Sequence, residues 1–110
     1  MALSLLNVTA AAISGCSFEE SGGDGLYLGD TCNEDIVVRD SVFSGNYRQG
    51  MSVICCERLL VSGCTFTGTR GTNPQCGVDF EPDTARQRLV DVAFVNNTFS
   101  NNTGCQIAII

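Results

Sequence analysis

The feature that most constrains this chain is a short phrase that recurs four times, in which a large apolar residue stands five positions before a phenylalanine. The phrase ends at Phe18, Phe43, Phe66 and Phe99. The first two intervals are 25 and 23 residues, and the third is lengthened by an insertion. Repeats with a period in the low twenties are typical of solenoids, in which each repeat forms one coil that packs only against its neighbours.

A second apolar pair follows each phenylalanine, and in the third repeat it is delayed by four residues. The pairs are Leu26 and Leu28, Met51 and Val53, Val78 and Phe80, and Ile107 and Ile109. Both halves of each repeat alternate apolar and polar residues, as β-strands do. Gly, Ser, Asn and Thr separate the halves and indicate turns. No segment has a helical period, so the sequence predicts an all-β chain.

These phrases resemble the right-handed parallel β-helix superfamily, often called pectin-lyase-like, over nearly the whole chain. The runs Gly23–Leu28, Asn46–Gly50 and Gly77–Pro82 also carry the resemblance. We therefore expect one domain, a right-handed parallel β-helix of about four coils. Its coils should span about residues 9–32, 33–56, 57–88 and 89–110. Because neither end has an amphipathic capping helix, we expect this segment to be part of a longer array or to associate end to end.

Aligning the coils on the phenylalanines predicts which side chains stack. The inward columns should be Ala11/Ile36/Leu59/Val92, Ile13/Val38/Val61/Phe94 and the four phenylalanines. The bend before each phenylalanine should fall at Gly15, Asp40, Gly63 and Asn96, because Gly and short polar residues tolerate unusual backbone angles. Just outside the core, Asp35, Arg58 and Asp91 should form a column in which opposite charges attract.

The N-terminal residues allow a second interpretation. Residues 1–12, followed by Ile13–Cys16, are similar to a lipoprotein signal with its cleavage box. No Lys or Arg supplies the positive region of such a signal. The same box is also in register with Val61–Cys64, within the third repeat. We therefore favour the interpretation that these residues belong to the first coil.

Composition excludes some partners. The chain has 12 acidic and 6 basic residues, no His and a net charge of −6, so it lacks the cations that neutralise nucleic-acid phosphates. No apolar run is long enough to span a membrane. The acidity, the fold and the cysteine content favour an extracellular or cell-envelope location.

Seven cysteines leave at least one without a partner inside the chain. In the predicted register Cys32 lies opposite Cys55, and Cys76 lies near Cys105, at a separation that a disulfide permits. The alternative that these are small buried thiols is equally compatible with the sequence.

Candidate functional residues lie between the inward apolar pairs. The resemblance implies that a saccharide would lie along the outer face of a sheet, where Tyr27, Ser52, Asp79 and Ala108 should point outward. With their neighbours they should form a polar patch across three coils. We assign catalytic roles to Asp79, Glu81, Arg48 and Tyr47, substrate binding to Asp24, Tyr27 and Gln49, and a calcium site to Asp79 and Glu81. The carboxylates accept hydrogen bonds, and the Arg48 guanidinium can donate two parallel bonds to a carboxylate. The only ligands that these residues offer to a cation are oxygen atoms.

Three functions remain open at this point. A polysaccharide lyase or uronan epimerase needs a base and a positive group that holds the uronate carboxylate. An inverting hydrolase needs two carboxyl groups about 6.5–9.5 Å apart. A non-catalytic stalk or adhesin needs neither. The sequence favours a polysaccharide partner, preferably an acidic glycan, and leaves catalysis undecided.

Overall fold

A computed structural model describes all residues 1–110, and its regular structure consists of thirteen β-strands. The strands are β1 (Leu3–Leu5), β2 (Thr9–Ser14), β3 (Ser17–Glu19), β4 (Leu26–Leu28), β5 (Asn33–Arg39), β6 (Val42–Ser44), β7 (Gln49–Val53), β8 (Cys56–Ser62), β9 (Thr65–Thr67), β10 (Cys76–Phe80), β11 (Leu89–Val95), β12 (Thr98–Ser100) and β13 (Ile107–Ile109). The chain has no helix of the length and apolarity needed to cross a membrane.

The strands form three parallel sheets that run along a solenoid. Sheet 1 has the order β1-β4-β7-β10-β13, sheet 2 has the order β11-β8-β5-β2, and sheet 3 has the order β12-β9-β6-β3. Each strand therefore pairs with the strand one coil away, and consecutive strands of the chain lie in different sheets. This is the parallel β-helix predicted from the repeat.

The phenylalanine column is the centre of the core. Phe18 stacks on Phe43 with ring centroids 4.9 Å apart, and Phe43 stacks on Phe66 at 4.6 Å. Phe99 continues the column on Phe66 at 4.9 Å. Phe43 and Phe66 are fully buried, since a ring covers each of their faces. The predicted column is confirmed.

The aliphatic columns of sheets 1 and 2 complete the interior. In sheet 2, Ile36 pairs with Ala11 and Leu59, and Val38 pairs with Ile13 and Val61. Val92 and Phe94 add the fourth member of each column. In sheet 1 the delayed pair of the third repeat, Val78 and Phe80, lies in register with Met51 and Val53. The insertion therefore bulges out of the coil without shifting the strands.

Residues in the left-handed backbone region turn each coil at the same place. Before the phenylalanines, φ is 63° at Gly15, 50° at Asp40, 65° at Gly63 and 53° at Asn96, as predicted. Gly, Asp and Asn adopt this region at lower cost than other residues, because they lack a Cβ or hydrogen-bond locally. A second bend after the phenylalanines has positive φ at Glu20, Gly45, Gly68 and Asn101.

Buried asparagines link adjacent coils at the bends through hydrogen bonds to the backbone, and the repeat pattern did not predict them. Asn46 is fully buried, accepts a bond from the Ser21 amide at 3.1 Å and donates to the Phe18 carbonyl at 3.0 Å. Asn102 makes the equivalent two bonds between the fourth and third coils, since it accepts from the Thr69 amide and donates to the Phe66 carbonyl. Each asparagine thus satisfies an amide and a carbonyl of the preceding coil where the sheet pairing is interrupted.

The N-terminal residues belong to the solenoid. β1 pairs with β4 through Leu3 and Leu26, and β2 pairs with β5 through Ile13 and Val38. The lipoprotein interpretation is therefore not needed to account for this apolar stretch. The strand β1 was not predicted, because only three of its residues pair and no phenylalanine phrase precedes it.

Charged residues outside sheet 2 agree only partly with the predicted column. Arg58 forms an ion pair with Asp35 at 2.5 Å, but no ion pair joins it to Asp91. Arg58 also reaches Glu34 and Glu57, which gives its guanidinium enough acidic partners on its own and the preceding coil. The Arg58, Glu34 and Asp35 side chains are each more than 40% exposed, so their ion pairs contribute little to stability.

Phe66→Ala should destabilise the fold by about 3–5 kcal/mol. The change leaves a cavity between the rings of Phe43 and Phe99, which the backbone pairing of the coils keeps from moving together to fill it. Phe99→Ala should cost less, since Phe99 is only partly buried and has a ring on one face. Urea denaturation followed by circular dichroism measures both losses. Equal losses would contradict the phenylalanine column as the centre of the core.

Candidate functional site

The register of sheet 1 brings the predicted outward residues into one row. Tyr27 pairs with Ser52, Ser52 with Asp79, and Asp79 with Ala108. A second row lies earlier along the same strands, where Gln49 of β7 pairs with Cys76 of β10. Gly50 follows Gln49 and Gly77 follows Cys76. A methyl group at Gly50 would lie 2.5 Å from the Gly77 carbonyl oxygen. The coils approach so closely here that only glycine fits, and this close approach positions the residues just before it.

Six residues from these rows and their flanks form a connected set that we call the polar cluster. Its members are Asp24, Arg48, Gln49, Ser52, Asp79 and Glu81.

Asp24 anchors the first half of the polar cluster. Its Oδ1 accepts a bond from Arg48 Nε at 3.0 Å, and its Oδ2 accepts bonds from Arg48 Nη2 at 2.8 Å and Ser52 Oγ at 3.0 Å. Asp24 is 1% exposed, whereas the Arg48 side chain is 38% exposed. This bidentate contact raises the pKa of Arg48. A buried carboxylate therefore fixes a half-exposed guanidinium on the surface.

Gln49 and Asp79 form the second half. Gln49 Nε2 donates to Asp79 Oδ2 at 2.7 Å, and Gln49 Oε1 accepts from the Cys76 amide at 2.9 Å. Gln49 and Asp79 are both 0% exposed. The other carboxyl oxygen of Asp79, Oδ1, has no hydrogen-bond partner although it is buried. A buried polar atom without a partner is costly, so Oδ1 needs an explanation.

The pKa of Asp79 supplies that explanation. Burial is the largest cause and the neighbouring Glu81 carboxyl adds to it, so that the pKa of Asp79 rises from 3.8 to about 7. Arg48 opposes the change. Gln49 donates to Oδ2, whereas no N–H or O–H of the chain reaches Oδ1, so a proton on Oδ1 avoids a buried negative charge without a partner. Asp79 thus holds a proton near neutral pH, which an ordinary aspartate does not.

Two tyrosines flank the polar cluster. Tyr47 is 51% exposed, and its ring lies directly over Gly71 in the inserted loop, where a side chain would collide with it. The loop is tied to this residue because the Thr72 amide donates to the Tyr47 carbonyl at 2.9 Å. Tyr27 donates its hydroxyl to Asp30 at 2.9 Å, and burial together with Asp30 raises its pKa.

The predicted outward patch on sheet 1 is largely buried rather than exposed. Of the predicted residues, Asp24, Gln49 and Asp79 are buried. Asp24 binds Arg48 and Ser52, and Gln49 binds Asp79 and the Cys76 amide. Gln49 is fully buried and engages both ends of its amide inside the protein, so a substrate on the surface does not reach it. Arg48, Glu81, Tyr27 and Tyr47 remain accessible. Side chains from adjacent coils contact one another here and contribute to this burial, as Arg48 does with Asp24 and Gln49 with Asp79. Alternation along a single strand does not reveal such contacts.

The predicted cysteine pairs differ from each other in the structure. Cys32 and Cys55 form a disulfide between adjacent coils, with Cα atoms 4.6 Å apart. Cys76 and Cys105 are free thiols, which is the alternative that the sequence left open for that pair, although Cys105 is exposed and only Cys76 is buried. The Cys76 sulfur instead points back to the Pro74 carbonyl at 3.5 Å.

Few ligands are available for a metal ion. No group of three or more Asp, Glu or Cys side chains in the chain is arranged to hold one. Asp24 is occupied by Arg48 and Ser52, so Asp79 and Glu81 are the two carboxyl groups that remain for calcium. Calcium takes six to eight oxygens, so most of its ligands would have to come from a bound molecule and water.

The surface over the polar cluster is open. The structure contains no cavity or deep cleft. A ligand would therefore lie along the face and contact several coils, with its remaining surface in solvent.

Asp79→Asn should remove a pH dependence from folding stability. Because the pKa of Asp79 in the folded state is about 7, against 3.8 ordinarily, the folded protein keeps a proton that the unfolded chain releases between these values. Stability therefore falls as the pH rises through this window. At about pH 8 the variant should be more stable than the parent by roughly 1–3 kcal/mol, and near pH 4 the two should be equal.

Urea denaturation across this pH range measures the effect. Glu19→Gln serves as the control, since Glu19 is an exposed carboxylate on β3 and its removal should leave the slope unchanged. Parallel stability profiles for the parent and Asp79→Asn would contradict the raised pKa.

Comparison with known proteins agrees with the architecture. No curated protein and no solved structure matches the chain. Residues 2–81 match the family model described as "Right handed beta helix region". That match covers most of the chain, including the first two coils, the third coil as far as Glu81 and every residue of the polar cluster. Together with the three parallel sheets and the stacked phenylalanines, it shows that this chain belongs to the right-handed β-helix family.

Proposed function

We propose that the outer face of sheet 1 binds a polysaccharide, and that the polar cluster with Tyr47 forms the contact surface. The observation that carries the proposal is the buried Asp79 carboxyl, which has an unpartnered oxygen and a pKa of about 7. A purely structural network has no need for such a group, because an apolar residue of similar size would avoid its desolvation cost.

The accessible groups suit a sugar chain. Arg48 is held rigidly by Asp24, so it loses little side-chain freedom when it donates its remaining N–H groups to a ligand. The Tyr47 ring is held against Gly71 and offers a flat apolar face, against which a sugar ring packs. Glu81 accepts hydrogen bonds from hydroxyl groups. These groups come from two adjacent coils, as an extended ligand on an open face requires.

The charge of the face determines how an acidic glycan could bind. Arg48 is already neutralised by Asp24, and Glu81 adds a negative charge. A uronate polymer would therefore need a cation between its carboxylates and Glu81, and calcium fits because only oxygen ligands are offered. A neutral glycan would need no cation. Calcium dependence therefore distinguishes the two ligand classes.

One observation favours an enzyme as the finer version of this proposal. A carboxyl with a pKa near neutrality is suited to give and take a proton at physiological pH. In a lyase or epimerase, the Asp79–Glu81 pair would move the proton and Arg48 would hold the uronate carboxylate. An inverting hydrolase fits less well. Its two carboxyl groups must stand about 6.5–9.5 Å apart to leave room for a water molecule, whereas Glu81 lies close enough to Asp79 to raise its pKa.

Another observation favours a non-catalytic stalk. Both oxygens of Asp24 and both ends of the Gln49 amide are satisfied inside the polar cluster. A solenoid that only spans a distance would benefit from such bonds, because they link adjacent coils without a ligand.

The Cys32–Cys55 disulfide supports a location outside the reducing cytosol, in an extracellular or envelope setting. Association of coils end to end is the companion proposal. Ile107 is 43% exposed and Ile109 is 83% exposed, although the equivalent residues of the second coil, Met51 and Val53, are fully buried. A further coil would cover them.

Retention on immobilised polygalacturonate, with calcium and then with a chelator, tests the proposal. The parent chain should be retained with calcium and released by the chelator. Glu81→Gln and Tyr47→Ala should each weaken retention by roughly tenfold, as expected for one lost charged hydrogen bond or one lost ring contact. A neutral glucan column run in parallel identifies the other ligand class.

Glu34→Gln is the matched control, because Glu34 lies on the outside of sheet 2 and the same change there should leave retention unaltered. Circular dichroism verifies that each variant keeps its strand content. Absence of retention on acidic and neutral glycans by a folded parent chain would overturn the proposal and favour the stalk. Product formation during incubation, abolished by Asp79→Asn, would establish the enzyme.

A further inference from the structure

Cys76 and Cys105 occupy the same relative position as the two cysteines of the existing disulfide. Val78 pairs with Ile107, and the Gly77 amide donates to the Cys105 carbonyl at 3.1 Å, so Cys76 lies directly opposite Cys105 on the next coil. Cys32 lies opposite Cys55 in the same way, since Asn33 pairs with Cys56. In that pair the coil spacing already accommodates a disulfide.

The other free cysteines have no such partner. Cys16 has Ser41 beside it on the next coil, and its amide donates to the Ser41 hydroxyl. Cys64 is a further coil away, which is beyond the reach of a disulfide. Cys56 is paired with Asn33 and Leu89. Of the five free thiols, only Cys76 and Cys105 are neighbours across one coil step.

We propose that Cys76 and Cys105 form an oxidisable dithiol that closes into a second inter-coil disulfide by exchange with a small disulfide oxidant such as oxidised glutathione. This inference rests on the register and on the exposure of the two thiols, and it is independent of saccharide binding.

The exposure of the two sulfurs sets the order of the steps. Cys105 is exposed, whereas Cys76 is buried. Burial, and next the neighbouring Cys105 thiol, raise the pKa of Cys76 to about 11, so Cys76 keeps its proton at neutral pH. The nucleophile in such exchange is the thiolate, which makes the accessible Cys105 the sulfur that meets the oxidant first.

The exchange balances in two steps. The Cys105 thiolate attacks one sulfur of oxidised glutathione, forms a mixed disulfide and releases one glutathione thiolate, which takes up a proton. The Cys76 thiol then loses its proton and attacks the Cys105 sulfur, which releases the second glutathione. In total, two protein thiols are oxidised to one disulfide, and one glutathione disulfide is reduced to two thiols.

The new bond would link β10 to the segment before β13, next to the polar cluster. The Cys76 amide donates to Gln49 Oε1, and Gln49 holds Asp79. Oxidation would therefore join the last coil to the strand that carries Asp79. The existing disulfide joins the first and second coils, so the two bonds would together brace both halves of the solenoid.

Peptide mapping after oxidation tests the proposal. The full chain, with the Cys32–Cys55 disulfide intact and Cys16→Ser introduced to prevent coupling between molecules, is incubated with oxidised glutathione. Remaining thiols are then alkylated, and the protein is digested and analysed by mass spectrometry. We expect a linked Cys76–Cys105 peptide, the loss of two thiols and no lasting glutathione adduct on Cys105.

Cys76→Ser is the matched variant, because it keeps the attacking thiol and removes the resolving one. Glutathione should then remain on Cys105, with about ten times more adduct than in the parent. Cys105→Ser should leave Cys76 unmodified, since that thiol is buried. A native chain that keeps glutathione on Cys105 while Cys76 stays alkylatable would overturn the proposal. Failure of Cys105 to react in Cys76→Ser, with strand content unchanged, would overturn it as well.

Discussion

Backbone pairing between successive coils is the interaction on which the rest of this structure depends. Every strand takes its hydrogen bonds from the strand one repeat away, so a coil is stable only if its neighbours have the same path. The left-handed residues before and after each phenylalanine make each coil turn at the same place. Buried Asn46 and Asn102 supply the missing partners at those turns. The phenylalanine column then packs in a space whose dimensions are already set.

The same pairing creates the polar cluster. Asp24 and Ser52 are far apart in the sequence, as are Gln49 and Asp79, yet each pair lies one coil step apart in sheet 1. Because outward residues repeat at the coil spacing, their polar groups meet at hydrogen-bonding distance. The cluster differs from an ordinary solvated face in its burial. Burial, with Glu81 nearby, raises the pKa of Asp79 to about 7, and the buried Asp24 carboxylate orders Arg48 through two hydrogen bonds. These two properties make this surface the strongest candidate for function.

Much of the fold could be predicted because a solenoid repeats its constraints. The inward columns of sheets 1 and 2, the phenylalanine stack and the bends at Gly15 and Asp40 follow from one alignment of the repeats. The buried asparagines could not be recognised in the same way, since Asn is also common in exposed turns. A signal was nevertheless present. Asn46 and Asn102 stand three residues after a phenylalanine, so their position relative to the repeat distinguishes them from solvated turn residues.

Strand alternation and repeat length act locally and recur, so the amino-acid sequence predicts the architecture, the register and the residues that line sheet 1. The burial of those residues, the pairing of Arg48 with Asp24 and the difference between the bonded Cys32 and the free Cys76 arise only when the coils stack. These properties depend on loops and side chains from different coils that cover one another. The extent of burial sets the dielectric environment of Asp79 and therefore its pKa, and no local pattern in the chain encodes that burial.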